Sequence, residues 1–327
     1  MSPSLDALLD PRPRPGTPPI VSAEPAGDAS GWLAGHRDAL RGAVTRYGSV
    51  LVRGLALADV AGVASVAARL GGLMAEHEAF APRTPYPGGV YSSTTWPANQ
   101  PMCMHHELSY AHEFPALMLF ACLTAPTEGG ATGVADASAV LEALPPALVE
   151  RFEREGWVLT RGYNEEVGAS WADSFGTDEG ATGRAAVERY CHANGIVFEW
   201  QPDGGLRTRQ RRRAVVRHPV TGRRCWFNQV AFLNEWTLDA DVREYLIDDY
   251  GPDGLPFNTR FGNGDPIDAR TVALIDEVYQ AHTLREPWQA GDLLLVDNIG
   301  TAHSREAFTG PREVLVGMID PVRLDGR

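Results

Sequence analysis

Met102-Cys103-Met104-His105-His106-Glu107-Leu108-Ser109-Tyr110 is the stretch on which the reading of this chain turns. On a β-strand, residues i and i+2 point to the same face. A strand through this stretch therefore predicts His105 and Glu107 side by side, with His106 on the opposite face. A second stretch lies far downstream: Gly291-Asp292-Leu293-Leu294-Leu295-Val296-Asp297-Asn298, then His303, Arg305 and Arg312. Two histidines and one carboxylate can ligate a metal. On one face of an octahedral ion they leave three positions open, the arrangement used by non-haem Fe(II) oxygenases. His105, Glu107 and His303 are thus the candidate iron ligands, and the open positions suit a bidentate co-substrate and dioxygen. An isolated His-x-Glu is common by chance. Its ordinary alternative is a strand with a hydrogen-bonded histidine and an exposed glutamate.

Composition narrows the classes. The chain has 327 residues, 44% of them hydrophobic, enough for a sizeable core. A net charge of −13 argues against general affinity for nucleic acid or an anionic membrane surface. Cys103, Cys122, Cys191 and Cys225 show no CxxC spacing, which predicts reduced core residues of a cytoplasmic protein. The first residues show no basic region followed by an apolar run, and no stretch of about 18 apolar residues predicts a membrane span.

Along the chain, residues 1–28 are rich in Pro, Ala, Asp and Ser and predict a flexible lead-in, ordered at most at its end. A single domain is expected over 29–327. Trp32, Leu33, Leu40 and Val44 give a helical period over Ser30–Thr45, ended by Gly48. Ser49–Arg53 predicts a buried strand, and Asp59–Leu70 a second helix closed by Gly71-Gly72. Residues 75–100, rich in Pro, Gly, Ser and Thr, predict one long loop. Ala116–Leu123 is a continuous apolar run that suits a strand buried on both faces. Ser138 is the expected cap of a helix running to Glu155. Arg207–Arg213 is the only basic run, expected as a strand with a solvated face. His218 is expected in a hairpin turn, Tyr110 and Trp226 in the core, and His303 in a loop between the last two strands. Many short strands with a few helices predict an α+β chain: a double-stranded β-helix, or jelly-roll, core with flanking helices.

The sequence resembles the taurine dioxygenase / clavaminate synthase superfamily of Fe(II)- and 2-oxoglutarate-dependent oxygenases, and within it the syringomycin-biosynthesis aspartyl-hydroxylase-like branch. The resemblance spans about residues 48 to 320. It rests on His105-x-Glu107-x-Ser109-Tyr110, Glu128-Gly129-Gly130-x-Thr132, Trp226-Phe227-Asn228-Gln229, Trp288-x-x-Gly291-Asp292, Asp297-Asn298, His303, Arg305, Phe308-Thr309-Gly310 and Arg312. Each is modest alone; their order and number make the match specific.

The resemblance implies an oxidoreductase that couples oxidation of an unactivated carbon to conversion of 2-oxoglutarate and dioxygen into succinate and carbon dioxide. It implies Fe(II) on His105, Glu107 and His303. It places 2-oxoglutarate against Thr132 and Arg312, with Arg305 a weaker choice, since a planar guanidinium pairs a carboxylate in bidentate fashion. Glu107 fills the site that related halogenases leave to chloride. The branch implies an amino-acid-like or peptide substrate, free or tethered to a carrier protein, in natural-product biosynthesis. Arg83, Tyr91, Ser93, Asn228 and Arg260 are the candidate substrate contacts. Ser304 stands where the family often has Gly, and Asn234 where a histidine is expected. Two other functions use the same residues: a zinc-type hydrolase or isomerase on the same ligands, and a non-catalytic module that binds a carrier protein through the basic run. The first leaves Thr132 and Arg312 without a task. The second leaves an intact ligand set unexplained.

Overall fold

The computed structural model describes residues 9, 14–25, 27–76, 83–163, 169–251 and 253–324. The N-terminal part contributes β1 (Ile20–Ser22), α1 (Ala29–Tyr47), β2 (Ser49–Arg53), α2 (Val60–Leu70), β3 (Pro85–Tyr86), β4 (Val90–Ser92), β5 (Met102–His105) and β6 (Phe114–Thr124). The middle contributes β7 (Glu128–Gly129), β8 (Val134–Asp136), α3 (Ala137–Ala143), α4 (Pro146–Glu155), β9 (Trp157–Tyr163), α5 (Trp171–Phe175), α6 (Ala181–Ala193), β10 (Ile196–Trp200), β11 (Leu206–Arg212), β12 (Val215–Arg217) and β13 (Arg224–Trp226). The last part adds α7 (Ala240–Tyr250), β14 (Asn258–Phe261), α8 (Ala269–Ala281), β15 (Thr283–Leu284), β16 (Leu293–Asp297), β17 (Thr301–Arg305), β18 (Phe308–Thr309) and β19 (Glu313–Val322).

A seven-stranded sheet runs in the order β1-β2-β16-β6-β19-β4-β3, and a four-stranded sheet in the order β15-β8-β17-β5. The apolar run in β6 has two burial partners because side chains alternate across a strand. Met118, Phe120 and Cys122 join the core shared with Met104 of β5, Val134 of β8 and Ala302 of β17. Leu117, Leu119 and Ala121 join a second core with Leu33 and Leu40 of α1 and Val63, Val66 and Leu70 of α2. Two sheets over one core, with helices on the outer face, make the jelly roll. A third sheet, β10-β11-β9-β14, carries the basic run; Thr208 and Gln210 of β11 face inward while Arg209 and Arg211 are exposed. No helix among the described residues is long and apolar enough to cross a membrane.

Local chemistry explains where the structure departs from expectation. Residues 20–22 of the lead-in pair parallel to Leu51–Arg53 and extend the main sheet. Residues 75–100 are not one loop: they hold the β3–β4 hairpin, and β4 pairs with β19. Residues 77–82 of that stretch lie outside the described residues. The helix expected from Ser138 to Glu155 is two, parted at Leu144-Pro145 because proline at 145 and 146 has no N–H to continue the first. Its cap is Asp136, whose Oδ1 accepts the N–H groups of Ser138 and Ala139, while Ser138 Oγ donates to Arg224 O at 2.6 Å. His303 lies on β17, not in a loop.

Trp226 and Tyr110 sit in the core as expected. Trp226 is fully buried and meets the Phe152 ring edge-on at 5.0 Å. Trp226→Ala should cost about 3–5 kcal/mol, since the void left by an indole cannot close in a packed core. Urea unfolding measures it; a loss below about 1 kcal/mol would show that the core refills.

Candidate metal centre

β5 and β17 pair so that His303 lies directly opposite His105. That register is what joins two histidines far apart in sequence. Glu107 arrives differently from expectation. The strand ends at His105, and residues 107–110 form a turn in which Leu108 takes the left-handed conformation at φ 53°. The i, i+2 rule of a strand therefore does not place Glu107; a polar clamp does. Asn298 Oδ1 accepts the Glu107 N–H at 2.8 Å, and Asn298 Nδ2 donates to Glu107 O at 3.0 Å and Pro115 O at 2.9 Å. His106, turned away, lies with Nδ1 2.6 Å from Asn298 O.

The three expected ligands offer atoms all within 4.8 Å of one another, and all three residues are buried. Glu107 Oε2 is 3.7 Å from His303 Nε2. His105 Nδ1 lies 2.8 Å from Cys103 O. A carbonyl only accepts, so Nδ1 carries the proton and Nε2 keeps the lone pair a metal needs. Burial, reinforced by the neighbouring His303, pushes His105 down to about 3, so its ring is neutral near pH 7. Burial alone would raise Glu107. The Arg83 guanidinium, with help from His303 and His105, outweighs it and holds the carboxyl well below the usual carboxylate range. Two histidines and one carboxylate form a donor set that suits a divalent ion, and this site fits iron.

Arg83 was expected only as a substrate contact. Its Nη2 donates to Glu107 Oε2 at 3.0 Å, its Nε to Thr94 Oγ1 at 3.0 Å, and its Nη1 faces Glu76 Oε1 at 3.4 Å. These groups, with Trp96, Met102, Gln229 and Phe232, line a chamber of about 30 Å³ against His105 and Glu107. Phe232 stacks on His105 with ring centroids 4.6 Å apart, and Phe120 lies 5.0 Å from His303.

The other expected residues divide. Thr132 is buried and its hydroxyl carries no hydrogen bond among the described residues. Arg312 donates from Nε to Gly130 O at 3.0 Å and has no acidic partner among the described residues. Burial, with Arg305 nearby, pushes Arg312 down to about 10. The Gly129-Gly130 turn is needed for this approach: both have positive φ, and a Cβ on Gly129 would lie 2.2 Å from Ala307 O. Arg305 is engaged otherwise, with Nη1 and Nη2 donating to the carbonyls of Trp96, Pro97 and Gln100. Tyr91 Oη accepts the Glu76 N–H at 3.2 Å. The Ser93 N–H donates to Val314 O. Asn228 is buried, donating to Ala214 O and accepting from the Val230 N–H. Arg260 meets Gly264 O and Asp253. Neither Asn228 nor Arg260 lines the chamber. Asn234 is buried and donates to Thr259.

Sequence reasoning gave no role to Glu76, Gln229, Phe232 or the Asn298 clamp. Asn298 and Gln229 carried a signal, as parts of Asp297-Asn298 and Trp226-Phe227-Asn228-Gln229; Glu76 is a lone acid in a stretch without periodicity.

The fold and site define a non-haem iron oxygenase of the jelly-roll class. The family model of the taurine catabolism dioxygenase TauD, TfdA family matches residues 13–319, and the chain belongs to that family. It is an Fe(II)- and 2-oxoglutarate-dependent dioxygenase. A relative, the dapdiamide synthesis protein DdaC of Enterobacter agglomerans, is 36% identical over 234 residues, 72% of this chain and 70% of that one. A clavaminate synthase-like protein of Arabidopsis thaliana is 30% identical over 251 residues, 73% and 71% of the two chains. Among solved structures, PvcB of Pseudomonas aeruginosa superposes with a TM-score of 0.56 at 16% identity, covering 95% of this chain and 89% of that one. A taurine dioxygenase-like structure from Burkholderia xenovorans superposes with a TM-score of 0.56 at 17% identity, covering 98% of each.

Proposed function

We propose that His105, Glu107 and His303 hold Fe(II), that Thr132 and Arg312 receive 2-oxoglutarate, and that the enzyme oxidises an unactivated carbon of an amino-acid-like substrate, free or carrier-tethered, in cytoplasmic natural-product biosynthesis. The observation that carries this reading is the pairing of a buried His-Glu-His set with a mostly buried arginine that has no acidic partner among the described residues. A buried unpaired guanidinium is costly unless a ligand carboxylate completes it. The similarity to a protein of dapdiamide synthesis supports the biosynthetic setting.

Bound iron and the keto acid supply the activation of dioxygen. The chain supplies the rest. Arg83 keeps Glu107 ionised. Cys103 O fixes the proton on His105 Nδ1, so that Nε2 keeps the lone pair an ion would take. Phe120, Phe232 and Trp96 keep an apolar wall that limits water.

Anaerobic titration with Fe(II) and 2-oxoglutarate tests this through the weak visible charge-transfer band of a chelated complex. His105→Ala should abolish the band. Arg312→Ala should keep it but raise the 2-oxoglutarate needed about ten- to hundred-fold, the worth of a charged hydrogen-bonded contact. No band in folded, iron-loaded wild-type protein would overturn the proposal.

A further inference from the structure

The chamber beside the metal centre contains a second buried carboxylate that the ligand set does not use. Glu76 is 10% exposed in its side chain, close to the 7% of Glu107. Its backbone is pinned by Tyr91. Its carboxylate has one contact among the described residues, Arg83 Nη1 at 3.4 Å. That is longer than an ordinary N–H···O bond, and much looser than the 3.0 Å bond from the same guanidinium to Glu107. A carboxylate taken from water normally gathers two or three strong donors. Among the described residues Glu76 is short of them, and it lines the chamber. Burial pushes its pKa up, Arg83 pulls it down, and Glu107 pushes it up again; with Arg83 held more closely by Glu107, the loose 3.4 Å contact leaves room at Glu76 for a further cation.

The rest of the chamber narrows the ligand. The chamber is small, about 30 Å³, so the part of a ligand that meets Glu76 inside it must be compact. A compact positive group with three donors to offer a carboxylate is a primary ammonium. The lining also includes Trp96, Met102 and Phe232, apolar surface that suits the carbon skeleton carrying the ammonium.

We infer that Glu76 receives a primary ammonium of the substrate beside the metal, with Arg83 as a positioning residue that fixes both Glu76 and Glu107. This deepens the function proposed above and rests on it: it makes the substrate an amine-bearing compound whose nitrogen is read from within the metal chamber. Arg83 thereby couples the substrate subsite to a metal ligand through one planar guanidinium. An ammonium that draws Glu76 towards itself leaves Arg83 wholly to Glu107.

The test uses the full chain with Fe(II) and 2-oxoglutarate under anaerobic conditions. The twenty common L-amino acids, their amides and their fully N-acetylated counterparts are added, and binding is read by calorimetry and by the shift of the charge-transfer band. The wild type should bind amine-bearing compounds at least ten-fold more tightly than the acetylated ones. Glu76→Gln, nearly the same shape without the charge, should lose about ten- to hundred-fold in affinity for the amines and leave the acetylated set unchanged. Glu76→Asp should recover part of the loss. Two results would overturn the inference: acetylated compounds binding as well as amines, or no amine binding in a sample that shows the band. A weakened metal band in Glu76→Gln with unchanged amine preference would also overturn it, making Glu76 a structural partner of Arg83. Absence of the band in the wild type would instead sink the metal and co-substrate reading itself.

Discussion

Asn298→Ala is expected to lose about 3–5 kcal/mol of stability and to weaken divalent metal binding about ten- to hundred-fold. Asn298 is fully buried. Its side chain makes three hydrogen bonds, two to the backbone of Glu107 and one to Pro115 O. Truncation removes all three and leaves a buried N–H and two buried carbonyls without that partner. Each such loss costs about 1–3 kcal/mol. The sum is a large part of the 5–15 kcal/mol that usually holds a domain together. The metal effect has a separate origin. The turn after β5 is kept in a left-handed step at Leu108, a conformation that costs a branched residue about 1–2 kcal/mol. Without the clamp that turn can relax, and Glu107 leaves the face it shares with His105 and His303. Asn298→Asp separates the two contributions: it keeps the acceptor for the Glu107 N–H but sets a carboxylate against two carbonyls. It should be no more stable than Ala. Urea midpoints give the stability, and Mn(II) titration gives the metal affinity. An Ala variant within about 1 kcal/mol of wild type, with unchanged metal affinity, would show that the turn holds itself.

The same clamp shows what the sequence could and could not disclose. The grouping of His105, Glu107 and His303 as a candidate metal set was legible because metal chemistry restricts residue types and leaves a short signature. The buried strand at Ser49–Arg53, the apolar run in β6 and the helix stops at Gly48 and Gly71 were legible because period and capping are local. Glu107 was matched to the right partner by the wrong geometry: a strand and this turn both bring residues 105 and 107 to one side. The split of α3 from α4 was open to reading, since Pro145-Pro146 forbids a continuous helix. Arg83 and Glu76 were not. Their meaning is tertiary: an arginine becomes the guard of a metal ligand only when the fold delivers Glu107 to within 3.0 Å. His303 had no local mark as a strand residue either. Its pairing with His105 is set by the order β8-β17-β5, which no local pattern states.

Metal-free protein should lose stability steeply on acidification, starting near pH 6.5. His105 and His106 are both buried, and burial lowers them from 6.5 to about 3 and about 4. For a histidine whose folded pKa is depressed, the unfolded chain takes up the proton first. Stability is therefore full above the unfolded value and falls as pH drops from 6.5 towards the folded values. Over that window the unfolded state binds up to two protons, at His105 and His106, that the folded state refuses, and His112, lowered by burial and by Arg212 and Arg323, adds to the loss in the same direction. The slope approaches about 2.7 kcal/mol per pH unit once both unfolded histidines are charged. Below about pH 4.5 Glu107 adds to the loss: its folded pKa is held down, so its contribution disappears as the carboxyl is protonated. Glu76 works the other way, because its raised pKa lets the folded state gain a proton in acid and offsets part of one histidine. Urea midpoints in EDTA between pH 7.5 and 4.5 measure the net slope. His106→Gln can still donate towards Asn298 O but does not titrate, so it should bring the slope down by about one proton per molecule. Saturating Mn(II) should steepen it, since protons compete with the ion for His105, Glu107 and His303. A midpoint that stays flat from pH 7 to 5 without metal would mean that these imidazoles reach water or an acceptor that stabilises their charged form, and the burial of His105 and His106 would have to be redrawn.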